Sequence, residues 1–205
     1  MQLKKCLPFF SFCLVTLVAF SFAGCGNSTG NKVPFEIKKG TQLIFTVESG
    51  SDAYDFTVDI LSASDGLSFN WNMTPPANAS GKVTITADAL KNGRTFNNYF
   101  TDGSDLTFTD MSTVFLTDIV IQDLVKDKKA STQLDLGDGM QDYELAPGMA
   151  GEMEVKVNGQ NQKLNYNVIY GKANSYQLNY IELEPYYLIA EMKTDFSIKL
   201  KEVKE

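Results

Sequence analysis

Hydrophobic and polar positions alternate along most of the chain after residue 41, a pattern typical of β-strands. In YDFTVDI, residues 54–60, every second residue is apolar, and LSFNWNM, residues 67–73, repeats the pattern. A period of two places the apolar side chains on one face of a strand, so each stretch is predicted to bury one face. Shorter stretches with the same period begin at Leu43, Val83, Leu106, Met153, Leu164 and Phe196.

Residues that favour turns separate these stretches. Ser64-Asp65-Gly66 lies between the first two, and Asn158-Gly159 suits a type I′ hairpin turn, which needs two positive φ angles. Short turns of this kind predict antiparallel neighbours. Pro75 to Gly81 contains two adjacent prolines, which lack the N–H that a ladder needs, and is predicted to be a surface loop.

Helical spacing is confined to two places. One is a short stretch near residues 87–91, and the other is 110–126, where Phe115 and Ile119, and Leu116, Val120 and Leu124, recur at intervals of four. The sequence therefore predicts a mainly β fold: an antiparallel sheet, a half-barrel or a sandwich, with one or two short helices near 87–91 and 110–126. No long linker interrupts residues 33–205, so we expect them to form a single β-rich domain.

The first 24 residues differ from the rest of the chain and are typical of an export signal. Lys4 and Lys5 precede Leu7 to Phe22, an apolar stretch without a charge, and the small residues Ala23 and Gly24 follow. Residues 1–24 are therefore interpreted as a signal peptide, and the polar residues 25–32 as a flexible tether. The seven residues 26–32 reach about 25 Å at full extension, which would keep the folded body close to a membrane surface.

Cys25 stands where the apolar stretch ends. Phe22-Ala23-Gly24-Cys25 resembles the lipobox of bacterial lipoprotein precursors of the Gram-negative type, although Phe22 occupies the position where leucine is commonest. The resemblance implies that the Cys25 thiol receives a diacylglycerol and that the chain is cut before this residue. Ordinary secretion with a cut after Ala23 is the alternative, because Ser21-Phe22-Ala23 has the small-x-small form that signal peptidase accepts.

Cysteine usage favours lipidation. Cys6 and Cys13 lie in the predicted signal peptide, which leaves Cys25 alone in the mature chain and excludes an internal disulfide there. Two or more acyl chains anchor a protein stably, so the predicted membrane partner is contacted through the N-terminal lipid. The resemblance, with Gly26 rather than an acidic residue after the cysteine, implies a location at the outer membrane, facing the periplasm.

Charge and residue content exclude several classes of function. Without the signal peptide the chain has 16 basic and 25 acidic residues, a net charge of −9, so we expect no nucleic-acid partner. It has no histidine, which excludes Ser-His-Asp triads, Cys-His pairs and histidine-bearing metal sites. No glycine-rich stretch fits a nucleotide-binding motif. The sequence predicts no metal, no cofactor and no enzymatic activity.

Tyrosine is concentrated towards the C-terminus. Six of nine tyrosines lie between Tyr166 and Tyr187, and Tyr176, Tyr180, Tyr186 and Tyr187 are the candidate ligand contacts, because exposed aromatic rings stack on sugars or line apolar grooves. Tyrosine is also a favoured strand residue that buries its ring and leaves its hydroxyl in water. Trp71 shares its register with Leu67 and Phe69 and is predicted to be a core residue.

Two hypotheses about function follow from these features. The first is a membrane-anchored, non-enzymatic binding or envelope-assembly module that takes a lipid, a glycan or a protein partner. In strand content and compartment alone, the chain is loosely similar to the curved sheets of lipoprotein-sorting carriers. The second is a hydrolase of glycans that uses two of the 25 acidic residues as its carboxylate pair.

Overall fold

The computed structural model describes residues 33–97, 100–135, 139–171 and 176–205, which belong to one compact unit, Asn31–Glu205. The predicted signal peptide and tether, with Cys25, lie outside the described residues. The described part has fifteen strands and two helices, so the mainly β prediction is confirmed. The strands form one sheet, in which five close into a barrel and the others extend it on two sides.

An antiparallel meander forms the first extension of the sheet. It consists of β1 (Gln42–Ser49), β2 (Asp52–Ser62), β3 (Leu67–Met73) and β4 (Ala79–Ile85). The alternation in β2 and β3 buries every second side chain, as predicted, and Trp71 is a core residue with 1% of its surface exposed. The turn at Gly66 and the type I′ angles at Asn158 (φ 49°) and Gly159 (φ 82°) also agree with the sequence patterns.

Short elements occupy the middle of the chain. They are α1 (Ala87–Asn92), β5 (Thr95–Asn97), β6 (Ser104–Phe108), β7 (Met111–Ser112), β8 (Phe115–Leu116) and α2 (Asp118–Asp127). Helix α1 begins after Thr86, whose hydroxyl accepts a hydrogen bond from the Ala89 N–H at 3.1 Å. Strand β6 pairs with β4 in parallel and forms one end of the sheet, whereas β5 joins β7 and β9.

The barrel lies in the C-terminal part. The strands there are β9 (Ala130–Asp135), β10 (Met140–Pro147), β11 (Gly151–Val157), β12 (Gln160–Gly171), β13 (Gln177–Leu183), β14 (Tyr186–Lys193) and β15 (Phe196–Lys204). Strands β11 to β15 pair in sequence, and the parallel contact of β11 with β15 at Val157 and Val203 closes the ring. Strand β15 also pairs with β1, which joins the barrel to the meander.

Two hydrophobic cores support this arrangement. The larger lies between the meander and the barrel and contains Trp71, Phe56, Phe115 and Leu200. The smaller lies beneath α2, where Val120, Ile121 and Leu124 face β9, β10 and the barrel strands. Because apolar side chains from both ends of the chain meet in the larger core, the meander and the barrel stabilise each other.

The bounds of two predicted elements are wrong. The helix predicted at 110–126 begins only at Asp118, because Phe115 and Leu116 form β8 and pair with Leu188 and Tyr187 of β14. The loop predicted at Pro75 to Gly81 ends earlier, because β4 begins at Ala79. Pairing with the distant strand β14 overrides the helical spacing in the first case, and pairing of Ala79 with Met73 of the adjacent strand β3 ends the loop in the second. The sheet also contains four parallel pairs, β4–β6, β5–β7, β5–β9 and β11–β15, among antiparallel ones.

Candidate functional site

Tyr176 lies immediately before β13, in the smaller core. Only 3% of its surface is exposed, and its ring meets the ring of Tyr143 edge-on with 5.0 Å between centroids. Its buried hydroxyl has no hydrogen-bond partner among the described residues. Burial raises the pKa of this hydroxyl far above its ordinary value, with a smaller contribution from Tyr143. Tyr176 is thus a packing residue whose ring does not reach the surface.

Tyr180 and Tyr187 lie on the neighbouring strands β13 and β14 and contact each other edge-on, with 6.2 Å between ring centroids. Tyr180 is buried, and burial raises the pKa of its hydroxyl to about 12, with smaller contributions from Glu182 and Tyr187. Tyr187 is half-buried, and its pKa is raised chiefly by burial and next by the negative charge of Asp118. Of these two rings, only that of Tyr187 is open to solvent in part.

Tyr186 begins β14 and belongs to the larger core. Its ring meets that of Phe115 at a centroid distance of 5.8 Å, and its hydroxyl donates a 2.7 Å hydrogen bond to the carbonyl oxygen of Ala63. Burial raises the pKa of the hydroxyl. The four candidate tyrosines therefore do not share one face: Tyr176 and Tyr180 lie in the smaller core, Tyr187 packs against it, and Tyr186 lies in the larger core.

One surface pocket does include a candidate tyrosine, and we call it the Tyr186 pocket. It has a volume of about 300 Å³ and lies where the β2–β3 turn, α1, the start of α2 and the start of β14 meet. Such a volume is at the small end of the range for ligand sites. The pocket is lined by Ala63, Ser64, Asp65, Gly66, Ala87, Leu90, Lys91, Leu116, Asp118, Pro185 and Tyr186.

The walls of the Tyr186 pocket differ in polarity with depth. Leu116 and Tyr186 are buried and Leu90 is half-buried, so the deeper part is apolar. Asp65 and Lys91 are exposed at the mouth. A small apolar pocket with a few charged groups at its edge is the usual composition of a site for a small ligand or a partner's side chain. The arrangement can hold an amphipathic group by packing and by charge.

Asp118 is the third charged residue of the pocket. It is half-buried and lies in the first turn of α2, where a carboxylate is favoured because the helix N-terminus carries partial positive charge. Its neighbour Thr117 is fully buried and donates a 2.7 Å hydrogen bond to the carbonyl oxygen of Gly93, which fixes the helix start. Within the described ranges, Asp65, Lys91 and Asp118 form no ion pair, so their charges face solvent or a ligand.

A larger and more open groove of about 560 Å³ crosses β5, β9 and β10. Gln133, Asp142 and Glu144 stand on its exposed face, and the Gln133 amide donates a 3.0 Å hydrogen bond to Asp142. At its edge Arg94 forms a 2.7 Å ion pair with Asp123 of α2. Its polar side chains are already paired with one another in part, which is typical of a solvated sheet face.

A third depression, of about 290 Å³, lies where the described chain starts, beside residues 33–36. Lys38 and Glu205 form a 2.8 Å ion pair at its edge. The hydrogen bond with Lys38 lowers the pKa of Glu205, and the same contact raises the pKa of Lys38. Both groups are near the surface, so this pair contributes little to stability.

Sequence patterns drew attention to Tyr186 but not to the rest of its pocket. Ser64, Asp65 and Gly66 were predicted as a turn, and nothing in the local pattern singled out Leu90, Lys91 or Asp118. These residues come together only through the folding of segments that are more than 20 positions apart, which a single sequence does not reveal. Within the described ranges, no group of three acidic or other metal-binding side chains comes together.

Comparisons of the chain with protein-family models, with curated proteins and with solved structures give no match. Among the residues that the structure describes, no helix has the length and apolar character needed to cross a membrane.

Proposed function

We propose that this chain is a lipid-anchored, non-enzymatic binding module of the cell envelope, which holds a partner in the Tyr186 pocket. The observation that carries the proposal is the pocket itself, in which a buried apolar floor of Leu116 and Tyr186 meets unpaired charged groups. Attachment through lipid on Cys25 is part of the same proposal. It would hold the pocket near the membrane, at the outer membrane and facing the periplasm.

The pocket favours a binding role over glycan hydrolysis. A hydrolase needs two carboxylates that face each other across a bound sugar chain. In the groove that crosses β5, β9 and β10, Asp142 and Glu144 lie two positions apart on strand β10. They therefore lie side by side on one face of that strand. The Tyr186 pocket does contain two carboxylates, but its volume of about 300 Å³ suits one ring or one side chain rather than an extended glycan.

Site-specific photocrosslinking tests the proposal. A benzophenone amino acid at position 87, an exposed residue that lines the pocket, should form an adduct in intact cells. The matched control places the same group at Val125, which is 65% exposed on α2 and does not line the pocket. An adduct at position 87 that is absent at position 125 supports the proposal. No adduct at position 87, or the same adduct at both positions, contradicts it.

An activity assay in solution distinguishes binding from hydrolysis. If the chain were a glycan hydrolase, purified protein would release new reducing ends from envelope polysaccharide, and the variants Asp65→Asn and Asp118→Asn would abolish that release. The binding proposal expects no release from the unchanged protein. Release that depends on either carboxylate would replace the proposed function with the hydrolytic one.

A further inference from the structure

The charges of the Tyr186 pocket do not balance. Asp65 and Asp118 carry negative charge and Lys91 carries positive charge, so the pocket has one excess negative charge. Because none of the three forms an ion pair with other described residues, this excess is not neutralised within the described chain. Electrostatic complementarity therefore favours a cationic ligand over a neutral or an anionic one.

The apolar floor limits what kind of cation fits. A compact hydrated ion would leave the accessible apolar surfaces of Ala87, Leu90 and Pro185 without contacts. An alkyl stem would cover them while its charged end stayed at the edge, as the stems of lysine side chains do on apolar protein surfaces. A stem of four or five carbons also suits a volume of about 300 Å³.

We propose that the Tyr186 pocket binds a primary ammonium group on an unbranched alkyl stem, the lysine side chain of a protein partner. This inference rests on the proposed function and specifies its ligand class. The ammonium lies between Asp65 and Asp118, and the stem packs on the floor. Lys91 opposes the ligand electrostatically and so favours the orientation in which the ammonium lies away from it.

The two carboxylates should not contribute equally. Asp118 is half-buried, whereas Asp65 is exposed on a turn. Attraction between charges is stronger where water is partly excluded, so Asp118 should contribute more than Asp65. Lys91 provides an independent test, because removing its positive charge should strengthen the binding of a cation.

Ligand-observed NMR on the full-length chain in detergent tests this inference, with Nα-acetyl-lysine amide as the probe and its Nε-acetylated counterpart as the neutral control. We expect the charged probe to bind about fivefold more tightly than the neutral one, the ratio that one partly exposed ion pair supplies. Asp118→Asn should lower the affinity for the charged probe by a similar factor, and Asp65→Asn should lower it by less. Lys91→Met should raise the affinity for the charged probe. Asp105→Asn, an exposed acid on β6, should change nothing.

The outcomes separate the two proposals. The inference about the amine is overturned if the two probes bind with equal affinity. It is also overturned if neither Asp118→Asn nor Lys91→Met changes the affinity for the charged probe. If neither probe binds while the adduct at position 87 forms in cells, the amine inference fails and the binding function stands. If circular dichroism shows that Asp118→Asn disturbs α2, the Lys91→Met variant still tests the inference, because its affinity for the charged probe should rise.

Discussion

Tyr186 donates a 2.7 Å hydrogen bond to the carbonyl oxygen of Ala63, a residue 123 positions earlier in the chain. Tyr186 begins strand β14 of the barrel, and Ala63 follows strand β2 of the meander. The bond therefore ties the two parts of the sheet together at the wall of the pocket. It also occupies the hydroxyl, so the tyrosine contributes its ring to the floor and not a free donor to a ligand.

Tyr186→Phe should destabilise the fold without removing the pocket floor. The ring remains, but the carbonyl of Ala63 loses its partner, which costs about 1–2 kcal/mol of unfolding free energy. Urea unfolding followed by circular dichroism measures the change. Tyr170→Phe is the control, since the half-buried Tyr170 makes no hydroxyl hydrogen bond among the described residues. An equal loss in both variants would show that the bond to Ala63 contributes nothing specific.

Gly81→Ala should be strongly unfavourable, although Gly81 lies in a strand and not in a turn. A Cβ at this position would lie 2.5 Å from the carbonyl oxygen of Ser104 and 2.7 Å from the indole ring of Trp71. Overpacking of this kind costs about 1–3 kcal/mol. Trp71 is the one tryptophan of the chain, so its fluorescence reports both unfolding and any local displacement of the ring.

A surface glycine provides the comparison for Gly81→Ala. Gly50 has a φ of 60° and nothing near the position of its missing Cβ, and asparagine tolerates such a φ. Gly50→Asn should leave the emission of Trp71 unchanged and reduce stability little. If Gly81→Ala behaved like Gly50→Asn, the close packing of Trp71 on β4 would not be a constraint on the fold.

Alternation predicted the strands that have one buried face and missed those that are buried on both. Strands β2 and β3 alternate in sequence and in burial, so their register could be predicted from the pattern alone. In β13, four consecutive residues from Leu178 to Ile181 are buried, because the larger core covers one side of the barrel wall and the smaller core covers the other. A strand buried on both faces has no period of two to detect.

Local spacing also misplaced the start of α2 for a physical reason. Phe115, Leu116, Ile119 and Val120 have helical spacing, yet Phe115 and Leu116 gain ladder hydrogen bonds and full burial beside β14. The candidate site was harder to predict than the fold. Leu90 of α1, Asp118 of α2 and Tyr186 of β14 meet only in the folded chain, and none of them belongs to a motif.

Tyr180 should make stability depend on pH in alkaline solution. Burial raises the pKa of its hydroxyl from 10.0 to about 12 in the folded state, so the unfolded chain loses this proton first. The contribution of the protonated Tyr180 hydroxyl to folding stability is therefore complete below pH 10 and is lost as pH rises through about 12. Urea unfolding at a series of values between about pH 9 and about pH 12 should show stability falling across this window.

Tyr180→Phe should make that fall less steep, because the variant has no proton to lose at this position. Tyr170→Phe serves as the control for removing a tyrosine hydroxyl elsewhere on β12. The interpretation would be wrong if Tyr180→Phe retained the full decline. Below about pH 9 Tyr180→Phe should differ from the unchanged protein only by a constant amount, since the Tyr180 hydroxyl keeps its proton there in both the folded and the unfolded chain.

Cys25→Ser should release the chain from membranes. Each buried methylene of an acyl chain contributes about 0.8 kcal/mol to membrane binding, so two or more chains hold the protein firmly and their loss leaves only weak attachment.

We expect the unchanged protein in the membrane pellet after a carbonate wash, and intact-mass analysis should find a diacylglycerol on a chain that begins at Cys25. Cys13→Ser, in the predicted signal peptide, should behave like the unchanged protein. A mature chain that begins at Gly24, or a Cys25→Ser variant that still sediments with membranes, would favour ordinary secretion with a cut after Ala23 and remove the anchor from the proposed function.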